Sequence, residues 1–178
     1  MKLLFLSLTL VMAANICSAQ KLPRFADYPA KSQRVGTIKV DLSTKDARMF
    51  RTNLRNAAKG GINFAGHFVI TSWGCGTNCT EWAMIEGRTG KVYFPRELAG
   101  AANGLCDLPS NAMPSDAPAE TDANYGGVFW KKNSRLVVLT GFKGGDLDKT
   151  PNKCGNYFFE WTGKGLRQLR FVAGKPTM

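Results

Sequence analysis

The sequence contains a single histidine, His67, which excludes any metal site or catalytic arrangement that needs several imidazoles. The cysteines lack the paired C-x2-C spacing of zinc knuckles, and this argues against a four-cysteine zinc site. No Ser-His-Asp order, no glycine loop of the kind that cradles phosphate and no carboxylate pair stands out. We therefore predict no cofactor and no bound metal.

Long apolar runs are also missing, except near the N-terminus. Lys2 precedes an almost wholly apolar stretch over residues 3–14, and the residues at 17–19 suit a signal peptidase. The run is too short for a membrane-spanning helix, which needs about 20 residues. We predict a cleavable signal peptide over residues 1–19, no transmembrane segment in the mature protein, and a secreted or periplasmic localisation. A lipid on Cys17 is disfavoured, because Ile16 stands where a small residue is expected.

Acidic residues are scarce, since 13 Asp and Glu oppose 24 Lys and Arg. Such an excess creates a positive field and favours acidic partners. Export argues against nucleic acid as the partner, so we predict an acidic protein or an anionic envelope polymer. The alternative is a basic isoelectric point with no cognate polyanion.

Four cysteines remain once Cys17 is removed with the signal: Cys75, Cys79, Cys106 and Cys154. An even number of cysteines in an oxidising compartment indicates two disulfides. Three pairings are possible. We favour Cys75–Cys79 and Cys106–Cys154, because the first two share a glycine-rich loop.

The N-terminal part of the mature chain divides into an arm and the start of a domain. Residues 20–34 show no periodicity and contain two prolines, so we expect an extended arm, followed by a single β-rich domain over residues 35–178. Residues 35–42 alternate in polarity as a strand does. A helix is predicted from Ser43 or Thr44 to about Ala58. Its buried face comprises Ala47, Phe50, Leu54 and Ala57, and another face carries a basic stripe.

The rest of the domain is predicted to consist of strands. Residues 66–73 form one apolar stretch, and three pairs of apolar runs flank turn sequences at 87–90, 131–134 and 162–165. The predicted fold class is mainly β (α+β): an antiparallel sheet or sandwich built from hairpins, with one N-terminal amphipathic helix packed on it. Residues 95–127 lack strand signals and are predicted to be a long irregular loop.

Two short motifs are the most distinctive feature of the chain. Residues 63–68 read Asn-Phe-Ala-Gly-His-Phe, and residues 73–79 read Trp-Gly-Cys-Gly-Thr-Asn-Cys. With the Thr-Gly-Lys turn that follows at 89–91, this pattern resembles a group of uncharacterised secreted bacterial proteins. The resemblance covers residues 63–94, about a fifth of the mature chain. It implies an exported β-rich protein and brings no activity with it.

Two classes of function fit these features. The first is a non-catalytic binding module, such as an inhibitor, an immunity-type protein or a binder of an envelope component. The second is a small secreted hydrolase or redox enzyme centred on His67 or on Cys75 and Cys79. The cysteine spacing does not match a papain-like nucleophile or a thioredoxin-like pair. His67 is a weak catalytic candidate, and a structural hydrogen-bonding role is the alternative.

The candidate binding residues are the cations at the three predicted hairpin turns. Turns at one end of a sheet would gather these charges into a rim that holds an acidic partner through their summed field. The rim comprises Arg88, Lys91, Lys131, Lys132, Arg135, Lys164 and Arg167. The alternative is that these cations have no shared binding role, since turns are exposed and exposed residues are often Lys or Arg.

The signal sequence leads to the first testable prediction, which is cleavage between Ala19 and Gln20. The charged start, the apolar run and the small residues before the cut are the features that a signal peptidase reads. N-terminal sequencing or the intact mass of the exported protein checks it. A retained Met1, or a lipid on Cys17, would contradict it.

Overall fold

The computed structural model describes residues 21–76, 79–99, 106–118, 127–144 and 153–177. The predicted signal peptide lies outside these residues. The described chain is mostly β, with three antiparallel sheets and two α-helices. No helix among the described residues has the length and apolar character needed to cross a membrane.

The helical region lies where one helix was expected, but it is interrupted. Helix α1 spans Lys45–Met49 and α2 spans Arg51–Lys59, with Phe50 between them at φ −100° and ψ 20°. The Thr44 hydroxyl caps α1 by accepting the Ala47 N–H at 3.2 Å. The Phe50 ring packs 4.9 Å from Trp73 and 6.0 Å from Phe94, measured between ring centroids, and this packing accompanies the break.

The strands form two main sheets. The first contains β1 (Phe68–Gly76), β2 (Cys79–Glu86) and β3 (Val92–Tyr93) in that order. The second contains β5 (Val128–Trp130), β6 (Leu136–Phe142), β7 (Cys154–Trp161) and β8 (Leu166–Ala173), again in chain order. A two-stranded sheet pairs β4 (Cys106–Asp107) with β9 (Lys175–Pro176). A short 3-10 helix spans Phe25–Asp27.

The two main sheets pack face to face. Alternate side chains of β1 and β2, among them Phe68 and Trp82, join alternate side chains of β6 and β7, among them Phe159 and Trp161, in one core cluster. The intervening side chains point to the opposite faces, where the helices cover the first sheet and the N-terminal segment around Phe25 covers the second. Because both faces of the central strands are covered, their sequences are almost continuously apolar.

The structure corrects the expected strand over residues 35–42. This stretch is extended but belongs to no sheet, and the Asp41 N–H donates to the Gly90 carbonyl at 2.9 Å. Ile38, Val40 and Leu42 still pack against the helix-side core. The alternating polarity of this stretch therefore indicated a buried face correctly, but it did not indicate whether a neighbouring strand was present to pair with it.

The irregular stretch predicted over 95–127 contains the short strand β4. A disulfide joins Cys106 of β4 to Cys154 at the start of β7, and a second joins Cys75 to Cys79. This is the pairing favoured from the sequence. The Cys106–Cys154 bridge fixes β4 to the second sheet, whereas the Cys75–Cys79 bridge closes the tip of the β1–β2 hairpin. The local sequence around β4 gave no sign of a strand two residues long.

The two disulfides are expected to differ in their contribution to stability. Their cysteines are 48 and 4 residues apart in the sequence. Chain entropy then predicts that Cys106→Ala/Cys154→Ala lowers the free energy of unfolding by about 4 kcal/mol and Cys75→Ala/Cys79→Ala by about 2 kcal/mol. Denaturant unfolding of both double variants measures this difference. Equal losses, or a larger loss from the Cys75–Cys79 pair, would show that loop closure does not set their contributions.

Candidate functional site: a cleft between three hairpin turns

The three predicted hairpin turns lie around one cleft. In the second sheet Leu136 pairs with Glu160, so the β5–β6 turn and the β7–β8 turn lie at the same end. The segment that precedes β1 links them to the β2–β3 turn. Gly66 donates its N–H to the Lys132 carbonyl at 2.7 Å, and the His67 carbonyl accepts the Gly87 N–H at 2.8 Å.

The first distinctive motif builds this linking segment. The Asn63 amide mimics a strand partner, since it donates to the Ile70 carbonyl at 2.9 Å and accepts the Ile70 N–H at 2.8 Å. Gly66 has φ +77°, and a Cβ there would lie 2.2 Å from the Lys31 carbonyl oxygen. Only glycine fits such a position. The motif therefore has a structural role next to the cleft.

The cleft has a volume of about 420 Å³. Its cations come from two of the turns: Arg88 and Lys91 from one, and Arg135 from another. The third turn contributes Thr162 and Gly163, and Phe68, Tyr93 and Trp161 supply aromatic walls. Tyr93 is half-buried and Trp161 is only 1% exposed, so Tyr93 offers more aromatic surface to a ligand than Trp161 does.

The remaining rim residues lie around this cleft at different places. Arg167 binds Glu160 beside Arg135, and Lys164 lines an adjoining depression. The Lys131 ammonium lies 5.4 Å from the centre of the Phe25 ring, and Lys132 is exposed. Neither Lys131 nor Lys132 lines the cleft. The structure thus brings three of the seven predicted residues, Arg88, Lys91 and Arg135, into the cleft. Arg167 lies outside it but binds Glu160, the carboxylate that also pairs with Arg135.

Two buried glutamates, Glu86 and Glu160, hold the arginines, and neither was predicted as a site residue from the sequence. Glu160 is 7% exposed, accepts a hydrogen bond from Arg167 and forms an ion pair with Arg135, whose Nη1 lies 3.0 Å from the Glu160 Oε1. Glu86 accepts the Arg88 Nε–H and the Thr89 N–H, both at 2.8 Å. The available signal was a lone carboxylate at the end of an apolar strand beside a basic turn. A buried carboxylate needs such partners.

Hydrogen bonding keeps Glu86 ionised. Burial of the carboxyl opposes ionisation, but the hydrogen bonds from Thr89 and Arg88 outweigh it and lower the pKa of Glu86 to about 2. Glu86 is therefore an anion across the physiological range. It acts as a fixed acceptor that orders the turn and orients Arg88.

His67 lies in the cleft beside Glu86. Its Nε2 is 3.8 Å from Glu86 Oε1, and its Nδ1 is buried with no hydrogen-bond partner among the described residues. Burial and the nearby Arg88 charge lower the pKa of His67, against the opposing effect of Glu86. The imidazole is consequently neutral at neutral pH. A general base needs a nitrogen within reach of its substrate, and here one nitrogen is buried while the other faces a carboxylate.

The Cys75–Cys79 disulfide lies far from His67. Phe68 pairs with Glu86 at one end of the β1–β2 hairpin, and Gly76 pairs with Cys79 at the other. Trp73 of the same motif packs on Phe50 on the helix side of the sheet. His67 and the two cysteines therefore cannot belong to a single site.

Comparison with known proteins adds no assignment: no protein-family model, curated protein or solved structure matches the chain. Within the described residues, no group of three or more His, Cys, Asp or Glu side chains is placed to hold a metal ion.

The low pKa of Glu86 predicts a pH-dependent contribution to stability. Because the pKa falls from 4.5 to about 2 on folding, this stabilisation is present above about pH 4.5 and is lost as the pH falls towards 2. Its size is about 3 kcal/mol. The difference in unfolding free energy between the native protein and Glu86→Gln should shrink accordingly between pH 4.5 and pH 2, measured by denaturant unfolding. Parallel curves for the two proteins would contradict this account of Glu86.

Proposed function

We propose that the chain is an exported, disulfide-stapled binding module that holds an anionic ligand in the cleft between its three hairpin turns. The observation that carries the proposal is the convergence of Arg88 and Lys91 from one turn and Arg135 from another on one concave site. Electrostatic attraction into a concave site is stronger than on a flat surface, because low-dielectric walls focus the field.

The internal ion pairs support binding in this cleft. A guanidinium has five N–H donors, and Arg88 and Arg135 each use a minority of them on Glu86 or Glu160. The remaining donors can bind a ligand oxyanion with little rearrangement, because the carboxylates already restrain both side chains. Restrained groups lose less conformational entropy on binding.

Export is part of the proposal. Residues 1–19 have the features of a signal peptide, and disulfides persist in oxidising compartments. The two bridges within the described chain suit such an environment. Membership of the group of secreted bacterial proteins that the motifs resemble is proposed on the same grounds. A secreted or periplasmic location makes an acidic protein or an anionic envelope component the natural ligand.

A catalytic role is the second candidate, and its support is the proximity of His67 to Glu86 within the cleft. The environment of both groups favours binding instead. Glu86 is held ionised by several hydrogen bonds, and Nδ1 of the imidazole is buried without a partner among the described residues.

Two double variants with the same net charge test the proposal. Arg88→Gln/Lys91→Gln removes two cations that line the cleft, and Lys131→Gln/Lys132→Gln removes two from a neighbouring turn outside it. We expect the first variant to elute from immobilised dextran sulfate at clearly lower salt than the second. Exposed charges are screened over about 10 Å at 0.1 M salt, so position matters as well as total charge.

Thermal unfolding of both variants serves as the control for folding. Elution of the two variants at the same salt concentration would contradict the cleft as the binding site and leave the charge with a general solubilising role.

A further inference from the structure

The cleft has a smaller neighbour with the same chemical character. A depression of about 230 Å³ is lined by Tyr93 and Trp161, which also line the cleft, and by Arg96, Glu97 and Lys164. The β7–β8 turn is divided between the two sites, with Thr162 and Gly163 in the cleft and Lys164 and Gly165 in the depression. The two sites are therefore adjacent and share an aromatic wall.

Each site has a small excess of positive charge. In the cleft three cations oppose Glu86 and the buried Glu160 that pairs with Arg135, and in the depression Arg96 and Lys164 oppose Glu97. A ligand whose single negative charges are separated by the length of a sugar ring matches such a pair of sites, whereas polyphosphate places its charges closer together. The half-buried Tyr93 at the shared wall offers a flat apolar surface between the two charged regions.

Several main-chain N–H groups of the surrounding turns already have partners. The Thr162 N–H donates to the Gly165 carbonyl at 3.0 Å, and the Gly90 N–H donates to the Glu86 carbonyl at 2.8 Å. The Lys91 N–H donates to the Thr89 hydroxyl at 3.2 Å. An extended peptide is usually held by free main-chain donors and acceptors at a sheet edge. Among the described strands β3 pairs only with β2, so a peptide would add along the free edge of β3. A ligand that instead crosses the Tyr93 ring from the cleft to the depression meets mainly side chains, which suits a chain of sugar rings.

We propose that the cleft and the depression are adjacent subsites for an acidic polysaccharide with one carboxylate on each sugar. The first carboxylate pairs with Arg88 and Arg135, the second with Arg96 and Lys164, and the sugar rings cross Tyr93. This inference rests on the proposed function, because it names the ligand class of the same site.

Titration calorimetry at low salt with galacturonate and tetragalacturonate tests the proposal. We expect the tetramer to bind at least about tenfold more tightly than the monomer, since the second subsite acts at a high effective concentration. Arg96→Gln/Lys164→Gln should abolish most of this length dependence and leave monomer binding nearly unchanged. Arg88→Gln should weaken both ligands roughly fivefold, the upper range for one exposed ion pair.

Lys175→Gln is the charge-matched control for Arg88→Gln. Lys175 follows β8 at the end of the sheet opposite the β7–β8 turn, so its loss should leave tetramer affinity unchanged. Fully methyl-esterified tetragalacturonate provides the ligand control, because it keeps the sugars and removes the charge, and it should not bind.

The alternative outcomes separate this inference from the function on which it rests. Equal affinity for monomer and tetramer would overturn the two-subsite arrangement and leave an anion-binding cleft. Tighter binding of pentaglutamate or of polyphosphate than of tetragalacturonate would overturn the assignment of a polysaccharide ligand. The proposed function, binding of an anion in the cleft, would stand. Failure of every anion to bind the native protein at low salt would overturn both.

Discussion

The position of the cleft depends on the packing of the Trp161 ring between the two main sheets. Trp161 belongs to β7, and its ring meets Phe68 of the first sheet at 5.3 Å and Tyr93 at 5.4 Å between centroids, edge-on in both cases. Edge-on aromatic pairs add about 0.5–1.5 kcal/mol each to the effect of burial. This contact fixes the end of β7 against the start of β1 and the end of β3. The turns that border these strands are thereby held around one space.

The charges in the cleft follow from the same constraint. Glu86 is the last residue of β2 and Glu160 the last but one of β7, and both are buried where an unpaired carboxylate would be costly. Arginines from the adjacent turns satisfy them, and these arginines are consequently held at the cleft instead of extending freely into solvent. The structural requirement of two buried acids therefore produces an ordered set of guanidinium donors. A binding site for oxyanions can arise from this arrangement with few further residues.

Much of the fold could be predicted from local patterns. A turn sequence between two apolar runs predicts a hairpin, and the runs that flank residues 87–90, 131–134 and 162–165 do form paired strands. The disulfide framework followed from an even cysteine count. Patterns that depend on distant partners were less informative. Residues 35–42 alternate without joining a sheet, and β4 exists because a disulfide and β9 hold it.

The candidate site was predicted only in part, because it too depends on contacts between residues that are distant in the chain. Turn cations are visible in the sequence, but which of them face a common space depends on how the sheets pack. Lys131 and Lys132 occupy the same turn as Arg135, yet only Arg135 lines the cleft. The roles of Glu86, Glu160 and Tyr93 required the tertiary structure, because each acts through residues far from it in the chain. His67 and the Cys75–Cys79 bridge were close in sequence and proved to be at opposite ends of a hairpin.

The central claim is that three separate turns form one anion-binding cleft. Mapping of backbone amide chemical shifts during a titration with tetragalacturonate tests it most directly. The account predicts that the shifts concentrate in residues 87–91, 131–135 and 162–165, with the Cys75–Cys79 tip unaffected. Shifts centred on that tip, or spread evenly over exposed lysines and arginines, would contradict it.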